Sequence, residues 1–333
     1  MIDVAVVGCG FMGRNHIHAV SNHPTLRLSS VVDLDRELVD TVADEYGAVN
    51  AFTDFERAVE EADAVVVATP ETVHASQART IMDYDRHLLL EKPVTADTEE
   101  AWGLATRAAN RDAISGVSFI LRYDPGYAGV RSAVVDGELG EPVSVHAQRG
   151  ITRSESERIG QRGHPLYYMN IHDIDAMLWC LDSEVSRVSA IERRGELNNI
   201  GVPDAMHATL TFENDAIGTL AGHGILPDDT PGGISASLEL VGTNGTASVD
   251  TPGTTLTVNG DSGYDRPDIR HWPVVNNRMD GAVRCQMDRF AAAISGRSDL
   301  LTSLTDGVYA QCVADTIRDA AEHGESRSVT YRQ

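Results

Sequence analysis

"DVAVVGCGFMG", residues 3–13, decides how the first third of this chain folds. The apolar run 3–8 reads as a buried strand, and Gly8-Cys9-Gly10-Phe11-Met12-Gly13 fits GxGxxG at the opening of a helix over 12–22. Asp33 ends the next strand (28–33), about twenty residues beyond the motif, which is the spacing of a dinucleotide-binding βαβ unit. Gly8 permits the tight turn, Gly10 lets the backbone approach a pyrophosphate, and Gly13 lets helix and strand pack closely. Unpaired N–H groups at the helix start face the phosphates, and Phe11 and Met12 complete the expected cofactor contacts. Asp33 can accept hydrogen bonds from both adenosine ribose hydroxyls and would repel a 2′-phosphate, so NAD is expected over NADP. Arg36 is expected to stack on adenine or to offset Asp33 in part.

The same alternation continues outward. Further strands are expected over 63–70, 87–93 and 114–120, with helices over 35–46, 73–85 and 98–112. Apolar strands alternating with helices imply a parallel sheet covered on both faces. After "RYDPGYAG" (122–129) the pattern changes to alternating segments at 142–149, 186–193, 206–212, 216–226, 235–242 and 246–250. Asn-Asp and Asn-Gly turns separate two of these pairs, a hairpin signal. Helices are expected around 165–181, 279–296 and 305–323. The reading is an α/β protein: an N-terminal Rossmann dinucleotide-binding domain over 1–122, and a C-terminal α/β domain over 123–333 built on a large, mainly antiparallel open sheet.

The 333 residues are 42% hydrophobic, enough for two cores, and carry 50 acidic against 27 basic residues for a net charge of −23. That balance argues against nucleic-acid or anionic-membrane partners. No stretch approaches the roughly 18 apolar residues of a membrane span. The apolar start lacks a basic flank and runs into a glycine motif, so it reads as a strand rather than a secretion signal. An acid-rich surface with almost no lysine suits concentrated salt, where repulsion is screened within a few ångströms; a halophile's cytoplasmic protein is expected. Cys9, Cys180, Cys285 and Cys312 show no metal or redox spacing and read as small buried hydrophobes in a reducing compartment.

Lys92, within "HLLLEKPVT" (87–95), is the only lysine. Glu91-Lys92-Pro93 closes a strand at the sheet edge where ligands bind in such folds, and Pro93 stiffens the turn. A lysine there can hydrogen-bond a substrate oxygen and share its proton, which arginine cannot. Thr69 and Pro70 end a neighbouring strand and, with His74 and Glu91, are expected to line the nicotinamide side, although His74 reads more as a structural residue at a helix start than as a catalyst. In "YYMNIHDIDAMLWCL" (167–181), Tyr168, His172 and Asp175 fall on one helix face, and histidine is a natural proton carrier near neutral pH. Asp173 faces away from His172, so no metal site is expected. Arg122, Arg149, His164 and Asn170 are expected to bind a polar substrate in the cleft between the domains. Arg149, Arg153, Arg158 and Arg162 could instead cradle a substrate phosphate.

Taken together, GCGFMG with Asp33, "TPETVH", "EKPVT", "GVSFILRYDP", "LGEPVSV", "NIHDIDAMLW" and the closing "SLTDGVYAQCVADTIRDAAEHGESRSV" resemble the glucose–fructose oxidoreductase / inositol dehydrogenase / rhizopine catabolism (Gfo/Idh/MocA) family over nearly the full length. The resemblance implies bound NAD(H) or NADP(H), Lys92 in the catalytic position of the EKP motif, His172 as the second-domain histidine, and Arg122 and Tyr123 shaping the cleft. It implies a homodimer or homotetramer assembled through the open sheet. Sugar and inositol dehydrogenases of the family commonly carry aspartate four residues before the histidine, where this chain has Tyr168. The expected activity is NAD-dependent oxidation of a secondary hydroxyl of a sugar, cyclitol or related polyol, with Lys92 and His172 relaying the proton and Tyr168 assisting. The alternatives are a nucleotide-sugar 3-dehydrogenase, a keto-sugar or imine reductase, and a non-catalytic dinucleotide-binding sensor.

Overall fold

The computed structural model describes every residue except Arg162, Pro252, Thr254, Thr255, Asp261, Ser262 and Gln333. The chain forms two compact units, Met1–Tyr123 with Arg270–Val308, and Asp124–Ile269 with Tyr309–Gln333.

The first unit is built on six strands: β1 (Ile2–Val7), β2 (Leu26–Val32), β3 (Asn50–Phe52), β4 (Ala64–Val67), β5 (His87–Leu90) and β6 (Ser115–Val117). They lie in the order β3-β2-β1-β4-β5-β6, every pair parallel. Val4–Val7 and all of β4 are buried, as expected of strands covered on both faces. The connecting helices are α1 (Phe11–Ser21), α2 (Arg36–Tyr46), α3 (Phe55–Glu61), α4 (His74–Asp83) and α5 (Thr98–Ala109). Aspartate side chains cap α2, α3 and α5 at Asp35, Asp54 and Asp97; α1 starts at Gly10 with no side-chain cap and no acid in its first turn. Strand order reverses between β1 and β4, and ligands bind at that point in sheets of this kind. The elements β3 and α3 went unread in the sequence because a three-residue strand carries too little periodicity.

The second unit opens with α6 (Pro125–Val135), β7 (Pro142–Thr152) and α7 (Arg153–Gly160). A five-residue π-helical turn, Leu166–Asn170, then leads directly into α8 (Ile171–Leu181). Strands β8 (Val185–Arg193), β9 (Ala205–Phe212), β10 (Ile217–Leu226), β11 (Ile234–Gly242) and β12 (Thr246–Thr251) follow. The sheet order is β12-β11-β7-β10-β9-β8, with Arg327–Ser328 at the far edge. All pairs are antiparallel except β7 with β10. One face is apolar and buried, with Val145, Ala147, Ala208, Leu210, Leu238 and Leu240, and α8 packs on it across β7 and β10. The opposite face presents Ser144, His146, Thr209, Thr211, Ser237 and Glu239, the alternation of a sheet covered on one side.

The expected boundary at 122/123 is corrected at one point: Arg270–Val308, with helix α9 (Gly281–Ile294), belongs to the first unit. Gln286 on α9 accepts from the Ser118 hydroxyl at 3.1 Å, and Arg122 donates to the Leu301 carbonyl at 2.8 Å. A second correction concerns Cys285, which is exposed, whereas Cys9, Cys180 and Cys312 are buried. Among the described residues no helix is long and apolar enough to cross a membrane.

The glycine motif sets the spacing of α1 from the sheet. Gly8 has φ +96°, and a Cβ there would sit 2.5 Å from the Ala68 carbonyl oxygen. A Cβ on Gly13 would run into the Gly8 carbonyl oxygen, whereas one on Gly10 would meet nothing within 4 Å. Gly13→Ala is therefore expected to destabilise the fold by about 3 kcal/mol in urea unfolding, and Gly10→Ala by less than about 1 kcal/mol. Equal losses in the two variants would contradict the packing assigned to Gly13.

Candidate active site

In the first unit the carboxyl ends of the central strands are stapled in sequence. Gly8 N–H donates to Val32 O at 2.8 Å, Ala68 to Val7 at 2.8 Å, Glu91 to Val67 at 2.9 Å and Ser118 to Leu90 at 2.7 Å. These bonds bring the glycine turn, the Thr69-Pro70 loop and the Glu91-Lys92-Pro93 loop to one edge.

At the glycine turn Gly10 is open to solvent above the uncapped start of α1, and Phe11 is 66% exposed with its ring edge-on to Trp272 at 5.3 Å. Asp33 is half-buried. Its Oδ2 accepts from the Cys9 backbone N–H at 2.8 Å and its Oδ1 from Asp35 N–H at 3.2 Å, which orients the carboxylate and leaves acceptor capacity for ribose hydroxyls. The turn thus fits a dinucleotide: open space at Gly10, unpaired donors for phosphate and a fixed acceptor for ribose. Burial, with Asp33 beside it, pushes the Cys9 thiol up to about 12, so it is no nucleophile. Arg36 lies away from Asp33's carboxylate in a two-point pair with Asp40 at 2.6 and 2.9 Å.

Around the lysine, Glu91 is 6% exposed and pairs with the buried His16 at 2.8 Å. Its Oε2 accepts the Lys92 backbone N–H at 3.3 Å, and Lys92 itself is partly exposed. The Lys92–Pro93 peptide is cis. His74 opens α4 as the structural residue that the sequence favoured: it is 1% exposed, and its ring nitrogens lie 3.0 Å from the Pro93 carbonyl and 2.9 Å from that of Thr69. It ties the Thr69-Pro70 loop to the Glu91-Lys92-Pro93 loop. Burial lowers its pKa, opposed by the Thr69 and Pro93 carbonyls, which favour the charged ring. Thr69 is half-buried, its hydroxyl donating to Gln77 at 2.6 Å, and Pro70 is exposed.

Most of the expected substrate-binding residues have partners within their own unit. Arg122 is buried, paired with Asp306 at 3.0 Å. Tyr123 is buried, with its hydroxyl 3.4 Å from Thr302 Oγ1. In the second unit Arg149 donates twice to the buried Asp173, at 2.8 and 2.9 Å. Burial works against the Arg149 charge, but the Asp173 carboxylate more than offsets it and holds the guanidinium firmly protonated. Asn170 is 1% exposed and donates to Ala221 O and Asp173 Oδ2, both at 3.3 Å. His164 meets Glu192 at 2.9 Å through Nε2 and accepts from Leu166 N–H through Nδ1. In an acid-rich chain these groups find internal carboxylates, and burial makes such pairs obligatory. The basic cluster is dispersed in the same way: Arg153 pairs with Glu196 and Arg158 with Glu155, and Arg162 lies outside the described residues.

His172, half-buried on the first turn of α8, stands next to the Asp173 anchor. Tyr168 belongs to the π-turn, which is wider than an α-turn. The expected four-residue alignment of Tyr168 with His172 along an α-helix is therefore not the local geometry. The Tyr168 ring packs against Ile151, Ile159 and Met169. Among the described residues no cluster of three metal-ligating side chains exists. His16 was missed in the sequence; its one signal was a histidine on the sheet-facing side of an otherwise apolar stretch of α1.

A family profile described as "Oxidoreductase family, NAD-binding Rossmann fold" (GFO_IDH_MocA) matches residues 2–119, and one for the "GFO/IDH/MocA C-terminal domain" matches residues 127–248. The chain is 27% identical to an inositol 2-dehydrogenase of Rhizobium meliloti, covering 96% of this chain and 97% of that protein. It is 26% identical to a scyllo-inositol 2-dehydrogenase (NAD(+)) of Bacillus subtilis, covering 91% and 89%. A crystal structure of scyllo-inositol dehydrogenase from Lactobacillus casei, with bound NAD(H) and scyllo-inositol, shares the fold at a TM-score of 0.85 and 20% identity, covering 99% of each chain. With both profiles in chain order, and the glycine turn and Asp33 placed as a dinucleotide requires, this chain belongs to the Gfo/Idh/MocA family of oxidoreductases and carries that family's NAD-binding Rossmann domain.

Proposed function

We propose that the protein is an NAD-dependent dehydrogenase that oxidises a secondary hydroxyl of a cyclitol or sugar-like polyol to a ketone. The observation that carries this reading is Lys92, the sole lysine of a strongly acidic chain, on a loop at the same strand-end edge as the glycine turn. The inositol dehydrogenases matched across nearly the whole chain support the substrate class. NAD, when bound, supplies the hydride acceptor. The protein's own task is the proton: as the substrate carbon loses a hydride, its oxygen loses a proton, and Lys92 receives it with His172 as relay. We assign Tyr168 to shaping the substrate region, since its ring packs on Ile151, Ile159 and Met169. The pairing of Arg149, Arg153 and Arg158 with carboxylates disfavours a phosphate-bearing nucleotide sugar.

We further propose that the open face of the second unit's sheet is covered in a homodimer or homotetramer. That face is dominated by serine, threonine and histidine, with Ile191 71% and Ile217 53% exposed, in a chain otherwise rich in carboxylates.

Three measurements test these readings. Lys92→Ala is expected to lower kcat on inositols by about 10²- to 10⁴-fold while fluorescence titration shows unchanged NAD affinity; near-normal turnover discards the assignment, and a wild-type protein that binds NAD without turning over any polyol points to a sensor. Asp33→Ala is expected to weaken NAD binding by about 10-fold or more and to narrow the preference over NADP. Ile191→Asp with Ile217→Asp is expected to shift sedimentation to the monomer, and an unchanged mass removes the open face as the interface.

A further inference from the structure

Helix α1 begins at the turn that fits the cofactor phosphates, and His16 lies further along its sheet-facing side, fully buried. Its Nε2 is 2.8 Å from Glu91 Oε1, and its Nδ1 is buried without a hydrogen-bond partner among the described residues. A buried N–H left without an acceptor costs more than a buried lone pair, and a carboxylate in front of Nε2 demands a donor there. The proton therefore sits on Nε2, and His16 donates to Glu91.

Glu91 in turn holds the peptide that carries the lysine, through the Lys92 backbone N–H on Oε2 at 3.3 Å. Its own burial would push the Glu91 carboxyl up, yet the His16 ring and the Lys92 charge bring it below the usual glutamate range. A carboxyl whose folded pKa is depressed contributes its stabilisation above the ordinary glutamate value of about 4.3 and loses it as pH falls through the folded value. The contact is thus present throughout the neutral range.

We propose that His16 is a positioning residue for Lys92: through Glu91 it locks the lysine-bearing peptide to the helix whose N-terminus receives the cofactor. Displacing one reacting group by about 1 Å costs on the order of 100-fold in rate, so a buried tether between the proton acceptor and the cofactor helix acts directly on turnover. The proposal rests on the reading of Lys92 as the proton acceptor.

The single lysine supplies a test that does not depend on turnover. Reductive methylation with ¹³C-formaldehyde labels one lysine side chain, and the α-amine is told apart by its lower titration range. In His16→Leu that remains folded by circular dichroism, kcat is expected to fall about 10- to 100-fold, with KM for NAD little changed and the dimethyl-Lys92 resonance moved. His16→Gln, which places an N–H donor near the Nε2 position, is expected to recover most of kcat and the original resonance. A kcat within about two-fold of wild type with an unmoved resonance overturns the proposal, as does a His16→Gln variant no better than His16→Leu. If His16→Leu does not fold, His16→Asn replaces it, because asparagine is too short to reach Glu91; equal kcat in the Asn and Gln variants then overturns the proposal. Should Lys92→Ala keep its turnover, the reading of Lys92 fails separately, and the resonance alone decides whether His16 positions the lysine.

Discussion

The contact between α1 and the ends of β1 and β4 is the constraint on which the first unit depends. Gly13 lies against the Gly8 carbonyl and Gly8 against the Ala68 carbonyl, with no room for a side chain at either place. That closeness aims the uncapped helix start at the open space over Gly10 and leaves Asp33 bonded to the Cys9 amide at the edge. It also brings His16, on the same helix, within hydrogen-bond distance of Glu91. A helix held further out would lose the phosphate turn and the Glu91 contact together.

Charge is the second organising constraint. With 50 acidic residues against 27 basic ones, cations are scarce, and those that are buried are matched to carboxylates: Arg122 to Asp306 and Arg149 to Asp173. Burying a guanidinium without such a partner would cost several kcal/mol, so these residues are structural before they can be anything else. Lys92 and His172 differ in remaining partly exposed. The Arg149–Asp173 pair anchors α8 to β7 one residue from His172.

The glycine turn, Asp33 and the Glu91-Lys92-Pro93 loop were legible because each depends on local backbone geometry that only a few residue types allow. The hairpins at Asn214-Asp215 and Asn244-Gly245 were legible for the same reason, and both strand pairs are antiparallel. The internal partners of the candidate substrate residues were not. Arg122, Tyr123, Arg149, Asn170 and His74 are polar residues near motif positions, and nothing in linear sequence says whether a polar side chain faces solvent or a buried carboxylate. The π-turn under Tyr168 was equally hidden, since its residues keep a helical pattern and only the backbone bonds differ.

By itself the sequence determined the parallel βαβ half, the mainly antiparallel second sheet, the preference for NAD and the singular position of Lys92, because periodicity, glycine spacing and composition are properties of the chain. Tertiary structure alone decided that residues 270–308 complete the first unit, that most of the candidate substrate ligands are internal ion pairs or hydrogen bonds, and that His16 reaches Glu91 across 75 residues. Each of those outcomes depends on which distant groups burial brings together.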